Sequence, residues 1–194
     1  MPTENASKPL TLTEQARRAQ LIGVAIDLVA AHGYAGTSLA RIAEAAGISK
    51  AAVLYHFPSK DGVVQAAYTT VLESLIEFVG AAVEPHTGAA AVEAYIRSLV
   101  GYMRLHPTHT RMIIESLVAE ADAPGGPGRH ETMAGLLTAA AKVGDYRRGI
   151  DSQVTAVIVN GAIDAIVSTG LTDPAFDTAQ AAEELIRMLN GTFS

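Results

Sequence analysis

Apolar residues recur at intervals of three and four positions through most of this 194-residue chain, and glycines, prolines and capping residues interrupt the pattern. This spacing places apolar side chains along one face of an α-helix. We therefore predict an all-α protein. The expected helices cover about residues 11–32, 38–46, 50–56, 60–83, 89–105, 108–121, 129–143 and 152–169, with a last helix that begins at Asp177 or Thr178.

The segment between residues 37 and 60, TSLARIAEAAGISKAAVLYHFPSK, predicts two short helices joined by a tight turn. Gly47 can end the first helix because glycine adopts positive φ at little cost, and Ser49 can cap the second. This arrangement is typical of a helix-turn-helix, in which the second helix enters the major groove of DNA. The residues expected to be buried in the turn or to pack inward are Ile48, Val53, Leu54 and Phe57.

The flanking helices begin and end at recognisable residues. Thr11 and Glu14 have the spacing of a capping box, and Gly33 is expected to end the first helix. Ser59 should cap a long helix over residues 60–83, which would link the two parts of the protein and transmit any ligand-driven movement. The expected apolar stripe of this linking helix consists of Val64, Ala67, Tyr68, Val71, Leu72, Leu75, Ile76 and Val79.

The C-terminal part contains further interruptions of the helical pattern. Pro107 suits the first turn of a helix, and the run DAPGGPG over residues 122–128 predicts a mobile surface loop. A strongly apolar helix begins at Asp151 or Ser152, and Gly170 is expected to end it. The small residues of this helix at positions 161, 162 and 165 permit close packing, either within the chain or against a second copy.

Composition and charge narrow the possible functions. The chain is 49% hydrophobic and 18% charged, which is typical of a folded protein. Its net charge of −6 is uneven, because residues 1–60 carry six Lys or Arg against four Asp or Glu, and the remainder is acidic. Only the basic end favours approach to a polyanion. With no cysteine, no run of eighteen apolar residues and no apolar signal segment, we expect a cytoplasmic protein without membrane contact.

Residues 14–68 resemble the N-terminal domain of the TetR/AcrR family of transcriptional regulators. The matching residues are His32-Gly33-Tyr34, Thr37-Ser38, Ile42-Ala43, Ala46-Gly47-Ile48-Ser49-Lys50, His56-Phe57 and Ser59-Lys60-Asp61. The chain departs from the family pattern at Ala51, where glycine is usual, and at Leu54, where tyrosine is usual. Because Tyr55 lies about 100° around the helix from Leu54, we expect Tyr55 to make the phosphate contact instead.

Residues 1–10 are expected to form a flexible tail, as is usual for a chain terminus. The resemblance implies a three-helix DNA-binding domain over residues 11–60 and a helical ligand-binding and dimerisation domain over residues 61–194. It also implies a homodimer joined through the last two helices, which binds a palindromic double-stranded DNA operator. A small apolar or amphipathic effector would release the operator, so the protein would be a repressor and not an enzyme.

The residues that we expect at the DNA are Thr37, Ser38, Arg41, Ser49, Lys50, Ala51, Ala52, Tyr55, His56 and Lys60. Hydroxyls and amides at helix starts bind phosphate, lysine binds a phosphate or a guanine edge, and alanine contacts thymine methyl groups. Two alternatives remain open from the sequence. His56 is also explained as a structural residue at the helix end, and Arg41 is able to point away from DNA.

The candidate effector-binding residues are Phe78, Tyr95, Leu99, Tyr102, Met103, Met112, Ile113, Ser116, Asn160 and Asp164. An apolar cavity with few polar groups is the usual form of a small-molecule site, although most of these side chains are equally explained as core. Asn160 and Asp164 lie one turn apart in an apolar helix. They either line a pocket or form hydrogen bonds across a dimer.

Other chemistry has little support in the sequence. His86, His106 and His109 have no accompanying carboxylate cluster, so we predict no metal site and no cofactor. Neither a glycine-rich phosphate loop nor a thiol nucleophile indicates catalysis. Two rival functions stay open: an architectural DNA-binding protein without an effector, and a helical carrier or enzyme that has lost DNA binding.

Overall fold

The computed structural model of the chain describes residues 11–119 and 128–193, with side chains described through residue 115 and from residue 128 onward. The predicted tail over residues 1–10, the predicted loop up to residue 127 and the side chain of Ser116 lie outside the described residues. The described ranges form nine helices and contain no strand, which confirms the all-α prediction. The helices are α1 (Leu12–Gly36), α2 (Leu39–Ala45), α3 (Lys50–His56), α4 (Lys60–Val83), α5 (Gly88–Leu105), α6 (Pro107–Ala119), α7 (Gly128–Val143), α8 (Ser152–Thr172) and α9 (Thr178–Phe193).

The helices fall into two compact units, of which the first ends at Thr70 and the second begins at Val71, inside α4. In the first unit, α2 and α3 pack against each other and against α1. Leu21, Ile42 and Val53 have no exposed surface and form the centre of this small core. Burial of these apolar residues is the main force that fixes the two short helices, which are too short to be stable alone.

Several helix boundaries follow the local signals in the sequence. The Thr11 hydroxyl accepts a hydrogen bond from the Glu14 amide, and the Glu14 carboxylate accepts one from the Thr11 amide, so the capping box is formed. Gly33 and Gly47 adopt positive φ of 69° and 68° at the two predicted turns. After Gly33 the chain makes one further helical turn, which ends at Gly36.

Three sequence predictions about burial are wrong. Leu54 is 41% exposed, because it lies about 100° around α3 from the buried Val53. Ile48 is only half-buried in its turn. Ile76 is 67% exposed, because the buried stripe of α4 passes through Val71 and Val79 and is narrower than the apolar pattern suggested.

Gly170 does not end α8, which continues to Thr172. The Asp173 amide closes the helix by donating to the Thr169 carbonyl at 2.8 Å. Gly170 instead allows close approach of α9, because a Cβ at this position would lie 2.4 Å from Cγ2 of Thr178. The glycine therefore serves helix packing rather than termination.

Helix α5 forms the centre of the second unit and packs against α7, α8 and α9. All six residues that the pattern placed on its inner face are buried, namely Val92, Tyr95, Ile96, Leu99, Val100 and Met103. On the edge of this core, Arg97 of α5 makes a two-pronged ion pair with Glu183 of α9, with N–O distances of 2.5 and 3.0 Å. Such a planar pair fixes the register of the two helices.

Two helices, α4 and α8, are long and apolar enough to cross a membrane by length and composition. The same property is expected of a helix that uses two of its faces for protein contacts, and α8 has one face buried inside the second unit. The opposite face of α8 is apolar as well and is exposed in the single chain.

Candidate functional site

The two short helices of the first unit are set by serine caps. The Ser38 hydroxyl oxygen accepts a hydrogen bond from the Arg41 amide at 3.3 Å, and that of Ser49 accepts one from the Ala52 amide at 3.1 Å. Each cap satisfies one of the backbone donors that a helix start leaves unpaired. The caps therefore define where α2 and α3 begin and which way their faces point.

One face of α3 packs inward and the other faces outward. Val53 is fully buried and Phe57, which follows the helix, is 2% exposed. On the opposite face, Leu54 lies one turn after Lys50, and Tyr55 lies one turn after Ala51. All four residues are exposed. At the start of this face the side chain of Ala51 is small, and toward its end Leu54 and Tyr55 make the face apolar and aromatic.

Tyr55 is 73% exposed, but its hydroxyl has a partner. It donates a hydrogen bond at 2.9 Å to Oε1 of Glu14, at the start of α1. The backbone amide and hydroxyl of Thr11, together with Tyr55, hold the pKa of Glu14 below its usual value, so this carboxylate stays ionised. The same hydrogen bond raises the pKa of Tyr55. The pair ties the end of α3 to the beginning of α1.

Arg18 of α1 contacts the end of α3. Its guanidinium group lies 4.0 Å from the centroid of the Phe57 ring, and its Nη1 donates to the carbonyl oxygen of His56. His56 itself is half-buried and packs edge-to-face against Tyr55, with a centroid distance of 5.0 Å. Arg18 and His56 are 38 positions apart in the chain, so no local pattern in the sequence indicates this contact.

The predicted DNA-binding residues differ in how freely they reach the surface. Thr37 is 2% exposed and its hydroxyl donates to the Gly33 carbonyl, so Ser38 is the exposed hydroxyl of that pair. Arg41 donates to the Gly36 carbonyl at 2.6 Å. Lys60 donates to the Tyr34 carbonyl at 3.1 Å and lies 3.6 Å from the centroid of that ring.

Lys50 is in a different position from the other predicted cations. It is exposed at the first position of α3, and no carboxylate or carbonyl partner is found for it among the described residues. Its ammonium group is therefore available to an external anion. In contrast, Arg41 and Lys60 each already use one donor on the backbone near the end of α1.

In the second unit, six of the predicted effector residues are buried: Tyr95, Leu99, Tyr102, Met103, Met112 and Ile113. Phe78 is 41% exposed and lies 5.4 Å, centroid to centroid, from the ring of Tyr102. The Tyr102 hydroxyl lies 2.8 Å from Nδ1 of His109, and the rings of His106 and His109 stack at 5.3 Å. The result is an aromatic cluster that joins α4, α5 and α6.

Asn160 and Asp164 both bind Arg129 of α7, although Asn160 is buried and Asp164 is exposed. Arg129 Nε donates to Asn160 Oδ1 at 3.2 Å, and its Nη2 donates to Asp164 Oδ1 at 2.7 Å. Asn160 is fully buried, and its amide group also lies 3.2 Å from Nδ1 of His130. Burial raises the pKa of the neighbouring Tyr95, which faces this cluster.

A shallow cleft of about 100 Å³ lies where the end of α5 meets the end of α8, and Met103 is the predicted effector residue that lines it. The residues that line the cleft are Val100, Met103, Arg104, Pro107, Val167, Gly170, Leu171 and Thr178.

No group of three or more His, Cys, Asp or Glu side chains suited to a metal occurs within the described ranges.

Comparisons with known proteins agree with the helix-turn-helix geometry. Residues 21–67 match the family described as bacterial regulatory proteins of the tetR family. The HTH-type transcriptional regulator RutR of Escherichia coli strain K12 is 32% identical over 106 residues, which are 55% of this chain and 50% of RutR. The HTH-type transcriptional regulator BetI of Burkholderia thailandensis is 38% identical over 86 residues, which are 43% of this chain and 42% of BetI.

The chain thus matches half or less of the length of these two relatives. A solved structure, the fatty acid degradation regulator FadR from Bacillus halodurans, shares the fold with a TM-score of 0.72 at 15% identity. That likeness covers 89% of this chain and 97% of the FadR chain. It extends the similarity of fold beyond the DNA-binding domain.

Proposed function

We propose that this chain, whose residues 21–67 match the tetR family of bacterial regulatory proteins, represses transcription as an effector-responsive homodimer bound to a palindromic operator. The observation that carries the proposal is the exposed face of α3, with Lys50 at its start and a buried opposite face. A second helix of this kind enters the major groove, where base edges are read. We place the protein in the cytoplasm, where the DNA is.

The DNA-binding surface that we propose consists of exposed residues of α2 and α3 and the groups that flank them. Lys50 supplies the available charge, Ala51 permits close approach of the helix to the bases, and Ser38 supplies a hydroxyl for phosphate. Arg41 and Lys60 are held near the end of α1 and retain further donors for phosphate oxygens. The distribution of charge supports a DNA contact through this end of the chain, because residues 1–60 carry more Lys and Arg than Asp and Glu whereas the remainder is acidic.

Dimerisation is proposed through α8 and α9. The outward face of α8 carries Val154, Val157 and Ile158, which are 55%, 57% and 65% exposed. Gly161 continues this face, and the space around it is open. A contiguous apolar face of this kind marks an interaction surface, and a two-fold axis would bring the same face of a second copy against it.

The effector that we propose is a small apolar or amphipathic molecule held among the buried side chains of the second unit. The largely apolar set around Tyr95, Tyr102 and Met103 supports this chemistry. A molecule that favours one separation of the two recognition helices over another must lower operator affinity, and the operator must lower effector affinity by the same factor. Helix α4, which is continuous across the division between the units, is the element proposed to transmit the movement.

Selection from a random-sequence DNA pool tests the proposal directly. We expect enrichment of a palindrome whose half-sites lie about 34–36 Å apart, or a multiple of that distance. Binding should weaken steeply with salt, because each neutralised phosphate releases counterions. If no sequence is enriched even at low salt, the regulator function is refuted.

A charge-matched pair of variants locates the surface. Lys50→Ala should weaken binding and reduce the slope of affinity against salt by about 1 for each half-site. Lys142→Ala removes another exposed lysine, from α7 of the second unit, and should leave both quantities unchanged. Equal effects of the two substitutions would contradict the assignment of α3 as the recognition helix.

A further inference from the structure

The outward face of α3 carries an exposed leucine at its centre. Leu54 is 41% exposed, whereas Val53 and Phe57 of the same segment are buried in the core of the first unit. It lies one turn after Lys50 on the same face. If this face enters the major groove, Leu54 is one of the side chains that point toward the base edges.

The neighbouring Tyr55 does not supply the reading group in its place. A tyrosine hydroxyl has a single proton, and that of Tyr55 is donated to Glu14. Because the Glu14 carboxylate is also held by the amide and hydroxyl of Thr11, it is a fixed and ionised acceptor. Tyr55 is thereby held at one side of the face, and Leu54 projects beside it without a polar group of its own.

An aliphatic side chain in the major groove has one apolar feature to contact, the C5-methyl group of thymine. From this geometry we propose that Leu54 is a specificity-determining residue that reads a thymine methyl group in each half-site. The inference rests on the proposed function, because it requires α3 to be the recognition helix. It differs from the sequence expectation, in which alanines made the methyl contact and Leu54 was buried.

The test uses the operator enriched from the random-sequence pool and a second version in which deoxyuridine replaces thymine. This replacement removes the methyl group and leaves every hydrogen-bonding edge intact. For the unmodified chain we expect a loss of affinity of about fourfold for each half-site, the effect of about one buried methyl group. For Leu54→Ala we expect weaker binding to the thymine operator and nearly equal affinity for the two operators.

Leu105→Ala is the matched control, because Leu105 is an exposed leucine of α5, 59% exposed, outside the DNA-binding unit. It should retain the full preference for thymine. Circular dichroism and the melting temperature verify that Leu54→Ala remains folded, as expected for a partly exposed side chain.

The remaining outcomes separate the inference from the function on which it rests. If the pool yields an operator but the half-sites share no thymine, or if deoxyuridine has no effect, the role of Leu54 is overturned while the regulator function stands. If Leu54→Ala keeps the preference for thymine, another residue reads the methyl group, and the role of Leu54 is again overturned. If no operator is enriched, both proposals fail together.

Discussion

Substitution of Ile158 by aspartate is expected to dissociate the proposed dimer. Ile158 lies on the outward face of α8, between Val157 and the open surface at Gly161. It is 65% exposed in the single chain, so most of its apolar surface remains to be buried by a partner. The substitution removes that surface and places a charge where a second copy of the same face should pack.

The magnitude follows from the exposed fraction. Complete burial of an isoleucine side chain contributes about 1.5–3 kcal/mol, so the exposed 65% of Ile158 represents about 1–2 kcal/mol for each copy. In a two-fold interface each copy buries its own Ile158, so the two side chains together contribute roughly 2–4 kcal/mol to the dimer. The dimer dissociation constant should therefore rise by at least about 30-fold, and the burial of two aspartates would increase the effect.

Sedimentation velocity over a range of protein concentrations measures this dissociation constant. Ile76→Asp is the matched control, because Ile76 is 67% exposed on α4 and undergoes the same chemical change outside the proposed interface. We expect the control to remain dimeric and Ile158→Asp to lose affinity for the two-half-site operator as it dissociates. A dimer of unchanged affinity in Ile158→Asp would refute the reasoning.

Three further predictions concern stability. Gly88→Ala should destabilise the fold by about 2 kcal/mol or more in urea titrations. The φ angle of Gly88 is +60°, and the new Cβ would lie 1.9 Å from Oδ2 of Asp145, which caps α5. An unchanged midpoint of unfolding would contradict this prediction. Burial raises the pKa of Tyr146 to about 12. The neutral tyrosine therefore contributes its full stability below the usual tyrosine pKa near 10, and this contribution is lost as the pH rises through 12. Tyr146→Phe should flatten the dependence of stability on pH over that interval, and an unaltered dependence would contradict this prediction. Asn160→Ala should cost about 2 kcal/mol, because it removes the acceptor of Nε of the half-buried Arg129, whose Nη2 keeps its bonds to Asp164 and to the backbone carbonyl at position 160. A thermal melt equal to that of the unmodified chain would show that this pair is not structural.

Local signals in the sequence were sufficient to locate most helix starts and the sharp turns. The Thr11–Glu14 capping box, the serine caps of α2 and α3 and the positive φ of Gly33 and Gly47 depend on neighbouring residues and on the steric freedom of glycine. The apolar period also identified the buried face of α5, because that helix is enclosed on several sides. These features require no knowledge of distant parts of the chain.

The candidate site depended on contacts that no local pattern encodes. Tyr55 and Glu14 are 41 positions apart, and the hydrogen bond between them joins α3 to α1. Arg129 lies 31 positions from Asn160, so the pairing of two apparent pocket residues was not visible in their own helix. A periodic pattern determines which residues share a face, but the packing partner determines how wide the buried stripe is, and that difference left Leu54 at the surface. The sequence by itself therefore determined the helices, their caps and the family of the DNA-binding domain, whereas only the tertiary structure decided which side chains of α3 are free to meet a ligand.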